Sequence, residues 1–374
     1  MISKESDKIT VIISVYFISV LSLIFNVSYV QAEINNATLA VLVNKNDPES
    51  MEIARYYQKA RLIPDENIIY MAFRAGVSAL TEAEFAEISA QLRGKVRGDI
   101  QAFALAWRKP WRVACMSITS AFSLGFNKAY CSKGCKVTKV SRYFNSQSRS
   151  PYAEFAFRPS MLLSAESVDG VKKLIDRGVS SDYVRPVGTA YLLNTSDKNR
   201  NVRAPHFPRY MKAMQQLLNI ELVSADALRH KKDVMFYFTG RMRVKYLDEN
   251  RFLPGSIADH LTSLGGHLFN GQQMSALEWI SAGATGTYGA VVEPCNFKQK
   301  FPVPGIVMQK YLSGETLIEA YWKSVRMPGQ GLFVGEPLAS PYKGCQVMMS
   351  RGGVFQYKRK LPGNFVESKN RNCN

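Results

Sequence analysis

Apolar residues in this chain fall into short unbroken runs. Between the runs, apolar positions recur every three or four residues. Residues 39–43 (LAVLV) read as a strand buried on both faces. Residues 44–47 make a turn, Asp47 is placed to cap a helix, and Pro48 fits its first position. Met51, Ala54, Tyr57 and Ala60 then mark the buried stripe of a helix over 50–61, Pro64 breaks it, and 67–72 is the next strand. This β-α-β unit carries neither a dinucleotide glycine fingerprint nor a phosphate loop.

The alternation continues. Helices are predicted over 81–97, 117–124, 167–177 and 208–218, and strands over 101–107, 188–193, 220–223 and 233–238. Residues 127–157 are loop-rich and include the run SRYFNSQSRS; so long an irregular segment in a compact domain is often a functional cover. Pro254 and Gly255 break the chain, and Ser256 is placed to cap a helix that would carry Asp259 and His260. A helix over 275–282 ends at Gly283, and 287–292 is a buried strand that stops at Glu293-Pro294-Cys295. Helices over 305–312 and 316–324 precede a last strand, 332–334, ending at Gly335-Glu336-Pro337. The pattern predicts an α/β fold: a mostly parallel sheet with helices on both faces. Residues 33–342 would form one domain, or two packed halves, 33–200 and 201–342, followed by a polar basic tail, 343–374.

The first 32 residues read as a targeting segment. Lys4 and Lys8 precede a charge-free run, 9–30, and Val30-Gln31-Ala32 is a plausible cleavage site, although the run is also long enough for an uncleaved anchor. Export, periplasmic or secreted, is therefore expected. The chain holds 48 lysines and arginines against 30 aspartates and glutamates, a net charge of +18. Such an excess favours an anionic partner, whether polysaccharide, lipid headgroups or the cell surface; exported proteins are a further candidate, and the compartment argues against nucleic acid. Six cysteines in an exported chain suggest disulfides. Cys131 and Cys135 lie in CSKGC, where Gly134 permits a local bridge; zinc is the rival, but no histidine lies at ligand spacing. Cys345 and Cys373 would clasp the tail, leaving Cys115 and Cys295 paired or free. No cofactor or metal is called for.

Several blocks, among them VLVNKNDPESMEIARYYQKARLIPDENI, PGSIADHLTSLGG, GATGTYGAVVEPC and LFVGEPLASPY, resemble a bacterial family of exported proteins that occurs in species carrying the exosortase sorting system. The resemblance implies export and a link to surface sorting; it carries no reaction with it. More distantly, the C-terminal third resembles the gingipain-type cysteine peptidases of the caspase-like fold. In that resemblance 233–238 matches the strand before the nucleophile, Ala258-Asp259 a helix pair, 283–289 a Gly-Ala strand, Thr316-Leu317 a later helix and Gly335-Glu336-Pro337 the ending. The nucleophile position is not matched, because Thr239-Gly240 follows the strand where a cysteine would stand.

Two readings follow. In one, the protein is a non-catalytic binding or accessory protein of surface sorting or exopolysaccharide, with Asp259, Lys298, Glu336, Arg108 and Lys109 as binding residues. Arg108 and Lys109 belong to a basic aromatic loop, 108–112, suited to an anion. In the other, it is a hydrolase or cysteine peptidase working at the 259–295 strand edge. Cys295 would be the nucleophile, His260 its base, and Asp259 or Glu293 the orienting acid. Glu293 and Glu336 both end strands before proline, and on neighbouring strands they would form a carboxylate pair for acid-base work or a cation.

Overall fold

The computed structural model describes residues 33–132, 135–269, 271–350, 352–357 and 373. The expected targeting segment and most of the basic tail lie outside them. The first strands are β1 (Leu39–Asn44), β2 (Ile68–Met71), β3 (Ala79–Leu80), β4 (Ala102–Leu105), β5 (Arg112–Val113), β6 (Met116–Ser117) and β7 (Ser160–Leu162). They are followed by β8 (Thr189–Leu193), β9 (Asn219–Val223), β10 (Val234–Thr239), β11 (Phe252–His260), β12 (Gly286–Ala290), β13 (Gly331–Gly335), β14 (Val347–Met349) and β15 (Phe355–Tyr357). The helices are α1 (Pro48–Arg61), α2 (Glu82–Leu92), α3 (Ile118–Leu124), α4 (Pro151–Phe155), α5 (Val168–Ser181), α6 (Phe207–Met214), α7 (Leu277–Ala282), α8 (Pro304–Leu312) and α9 (Leu317–Ser324).

Ten strands form one sheet in the order β2-β1-β4-β7-β13-β12-β11-β10-β8-β9. Every ladder from β2 to β7 is parallel. So is every ladder from β12 to β9. The last long strand, β13, fills the middle: it pairs antiparallel with β12, Gly286 opposite Gly335 and Ala290 opposite Gly331, and meets β7 at Val334 and Leu162. Alternate residues of one strand show that helices cover both faces, as the alternation predicts. On β10, Tyr237 packs against Trp279 of α7, while its neighbour Phe236 packs against Tyr311 of α8.

The local signals hold where they are chemical. The Asp47 side chain accepts from the Glu49 amide at the start of α1, and Thr81 with Glu84 closes a reciprocal cap on α2. One signal misleads. Residues 256–260 are not a helix capped by Ser256; they belong to strand β11. Pro254 and Gly255 sit inside that strand, where the register against β10 jumps from Val234–Phe252 to Phe236–Ile257. A bulge absorbs a proline without an N–H and a glycine at φ +85°. Thr285 Oγ1 takes the freed Gly255 amide at 2.9 Å, and Tyr311 Oη donates to its carbonyl at 3.0 Å.

Candidate functional site

The carboxyl ends of β10, β11 and β12 are where open α/β sheets place ligands, and the expected catalytic residues lie along this edge. Asp259 and His260 end β11 on opposite faces. His260 is buried against Trp279 of α7. The Trp279 indole donates to His260 Nδ1 at 2.8 Å, so Nε2 carries the proton and donates to the Met274 carbonyl at 3.2 Å. Burial pushes the imidazole pKa down to about 3. Both nitrogens are engaged and the ring stays neutral, so His260 is a packed histidine rather than a base.

On the other face, Asp259 is also buried. Arg203 Nη2 lies 2.6 Å from Asp259 Oδ1 as an ion pair and donates to the Thr239 carbonyl at 2.6 Å. Arg203 Nη1 donates to the Pro302 carbonyl at 3.3 Å. Burial pushes the Asp259 carboxyl above its ordinary range, against the pull of Arg203. The arginine thus ties the ends of β10 and β11 to the loop before α8. Nothing in the stretch NVRAPH marks Arg203 for this role; its only signal is an arginine beside a helix-starting proline.

Cys295 is not a free nucleophile. It is bridged to Cys135, 160 residues earlier. Its backbone is left-handed at φ 55°, and Glu293 Oε1 accepts its amide at 2.7 Å, so the exposed Glu293 caps the turn after β12. The expected Cys131–Cys135 bridge is absent: Cys131 pairs with Cys115, and Cys345 pairs with Cys373 as expected. Spacing along CSKGC permits a local bridge, but the fold brings the β5–β6 turn and the end of β12 to these two thiols instead.

The carboxylate pair fails on strand direction. β12 and β13 are neighbours, yet antiparallel, so Glu293 and Glu336 sit at opposite ends of the sheet and share neither a proton nor a cation. Glu336 is wholly buried. It accepts from Tyr57 Oη at 2.7 Å and Arg61 Nε at 3.0 Å, and it pairs with Arg61 Nη2, which also leaves Arg61 beside Asp182. This is a buried structural knot between α1, α5 and β13, not a ligand site.

The expected binding cations are largely engaged. Arg108 Nη1 lies 2.8 Å from Glu49, and the same guanidinium donates to the carbonyls of Ala165 and Glu166. Lys109 lies 4.7 Å over the Phe269 ring. Lys298 Nζ is 2.8 Å from His206 Nε2; burial, then Lys298 and Arg209, lower the His206 pKa, so the neutral imidazole accepts from the ammonium. His267 donates to the Val291 carbonyl at 2.9 Å and packs on Trp111. The edge is filled by its own side chains.

A cavity of about 410 Å³ opens elsewhere, between β4, the end of α3 and the turns at 139–143 and 155–158. Its walls are aromatic, including Phe122, Tyr130 and Phe155, and its charges are Lys139, Arg142 and Arg158; among the described residues no aspartate or glutamate lines it. The irregular 127–157 segment supplies most of this wall, and the run SRYFNSQSRS was the signal for it. The wall is held firmly. Ser141 N donates to Arg326 O and Asn145 N to Lys323 O, both at 2.8 Å, and Lys310 Nζ donates to Ser146 O at 2.9 Å. The Cys115–Cys131 and Cys135–Cys295 bridges bind the same segment to the β5–β6 turn and to the end of β12.

No protein-family model and no curated protein matches the chain. A solved structure described as "Structure of Protease" is similar to it, with a TM-score of 0.43 and 11% identity over 90% of this chain and 85% of that chain.

Proposed function

We propose that this chain is an exported, non-catalytic binding protein for an anionic surface polysaccharide, acting as an accessory of surface sorting or exopolysaccharide. The observation that carries the reading is the state of the sheet edge. The one thiol placed to act there is locked in the Cys135–Cys295 bridge, and the histidine expected as its base is neutral with both nitrogens bonded. A thiol peptidase needs a free, low-pKa sulfur next to a base, and neither partner is available. On this reading the resemblance to gingipain-type peptidases is one of scaffold alone, since Thr239-Gly240 stand where their nucleophile would be. The net charge of +18 supplies the long-range attraction for an anionic polymer. Three disulfides suit an oxidising, extracytoplasmic setting, and no described helix is long and apolar enough to cross a membrane.

The test is binding of purified protein to an acidic polysaccharide across a salt series. Binding should be clear at low ionic strength and weaken as salt screens the charges. Absence of binding at low salt would overturn the assignment. So would hydrolysis of a peptide substrate that disappears in a Cys295→Ser variant.

A further inference from the structure

We infer that the 410 Å³ cavity bounded by α3 and the 127–157 segment is where the polymer is held, and that it takes a uronic-acid unit. The inference rests on the polysaccharide reading above and adds the place and the sugar chemistry. The volume falls within the range of roughly 300–1,000 Å³ in which small-ligand pockets occur.

Charge is the first argument. Several buried or half-buried arginines are spoken for: Arg61, Arg108, Arg149 and Arg203 each face a carboxylate. The cavity gathers three cations, Lys139, Arg142 and Arg158, that form no ion pair with a described residue; Arg158 donates to the Ile100 and Arg97 carbonyls, which leaves Lys139 and Arg142. Lys139 lies 5.5 Å over the Tyr130 ring, and Arg142 lies 5.5 Å over the Phe155 ring. A ring face holds a cation in place without neutralising it, so both remain available to an incoming anion. Arg142 offers the planar fork that matches a carboxylate.

Wall chemistry is the second argument. Phe122, Tyr130 and Phe155 present apolar surface to the C–H face of a pyranose ring. Helix α3 ends in the cavity at Leu124 and Gly125, and the last carbonyls of a helix have no partner inside it, so the wall offers acceptors for sugar hydroxyls. An acidic peptide fits less well. Peptides captured in extended form add to an open strand edge, and the only sheet strand at this cavity, β4, is already paired on both sides by β1 and β7. Residues 139–146 of the wall are held by backbone bonds, and Cys131 and Cys135 by disulfides, so the ligand meets a preformed surface and little ordering opposes binding.

The experiment is calorimetric titration at low salt with a galacturonate hexamer, with hexaglutamate as the peptide of matching charge. Lys139 and Arg142 are both exposed, so Lys139→Ala/Arg142→Ala leaves the core untouched. The control is Lys198→Ala/Lys232→Ala, two exposed lysines outside the cavity. The expected result is hexagalacturonate binding that weakens at least tenfold in the cavity variant, holds within twofold in the control, and exceeds hexaglutamate binding. Equal loss in both variants would place the sugar elsewhere and leave the polysaccharide reading standing. Tighter binding of hexaglutamate would overturn the sugar. No binding of any acidic saccharide by the unaltered protein would overturn both proposals.

Discussion

Replacing Cys135 and Cys295 together with serine should destabilise the protein more than any other bridge removal. The two cysteines are 160 residues apart, whereas Cys115 and Cys131 are 16 apart and Cys345 and Cys373 are 28 apart. The three loops follow one another along the chain without nesting, so each closes its full span in the unfolded state. In the chain-entropy account, the long loop is worth ~5 kcal/mol and the 16-residue loop ~3 kcal/mol at 25 °C. The Cys135→Ser/Cys295→Ser protein should therefore fall ~2 kcal/mol further than Cys115→Ser/Cys131→Ser. Urea unfolding followed by tryptophan fluorescence measures both, with the slope checked for a common two-state transition. An equal or smaller loss for the long-range pair would refute the reasoning. It would mean that the end of β12 and the 127–157 segment are already held together in the unfolded ensemble, or that their bridge is not the native one.

Iodoacetamide applied to the folded, unreduced protein should add no label by mass spectrometry, since all six thiols are bridged; one labelled cysteine at stoichiometry would contradict the connectivity. Arg61→Met should lower stability by ~3–5 kcal/mol in denaturant, because it strands the buried Glu336 carboxylate without its cation. His260 sets a pH dependence. Its folded pKa of about 3 lies below the ordinary value of 6.5, so the unfolded chain takes up the proton first as pH falls. The stability linked to His260 is fully present above pH 6.5 and drains away between 6.5 and about 3, by roughly 5 kcal/mol in all. A His260→Gln variant lacks this slope, so its deficit against the parent should shrink on acidification; a deficit that grows would refute the neutral, buried assignment.

Much of the fold was legible because periodicity reports burial directly. Residues 39–43 and 234–238 are apolar without interruption, and both became interior strands buried along their length. The helix after Asp47 was legible because its cap is a side chain with one job. Three things were hidden. Pro254-Gly255 breaks a helix and bulges a strand with the same two residues, and only the partner strand decides which. Strand direction leaves no mark on composition, so Glu293-Pro294 and Glu336-Pro337 look alike although they lie at opposite ends of the sheet. Disulfide partners are chosen by three-dimensional proximity, and Cys131 lies nearer Cys135 in sequence than either lies to its true partner. The cavity was half visible: the irregular 127–157 segment stood out, but Phe122 and Arg158, at its margins, carry no signal without the fold.

The position of β13 has a consequence for how such a chain is made. The sheet's fifth strand in space comes last in sequence, wedged between β7 and β12. During synthesis, N-terminus first, the earlier strands assemble into two slabs with a slot between them. Until residues 331–335 arrive, the slot leaves two open flanks whose amides and carbonyls invite pairing with any neighbouring strand. A chaperone that holds the emerging chain apart from its siblings is most needed during that interval, and a chain stalled before residue 331 should precipitate where the finished one does not.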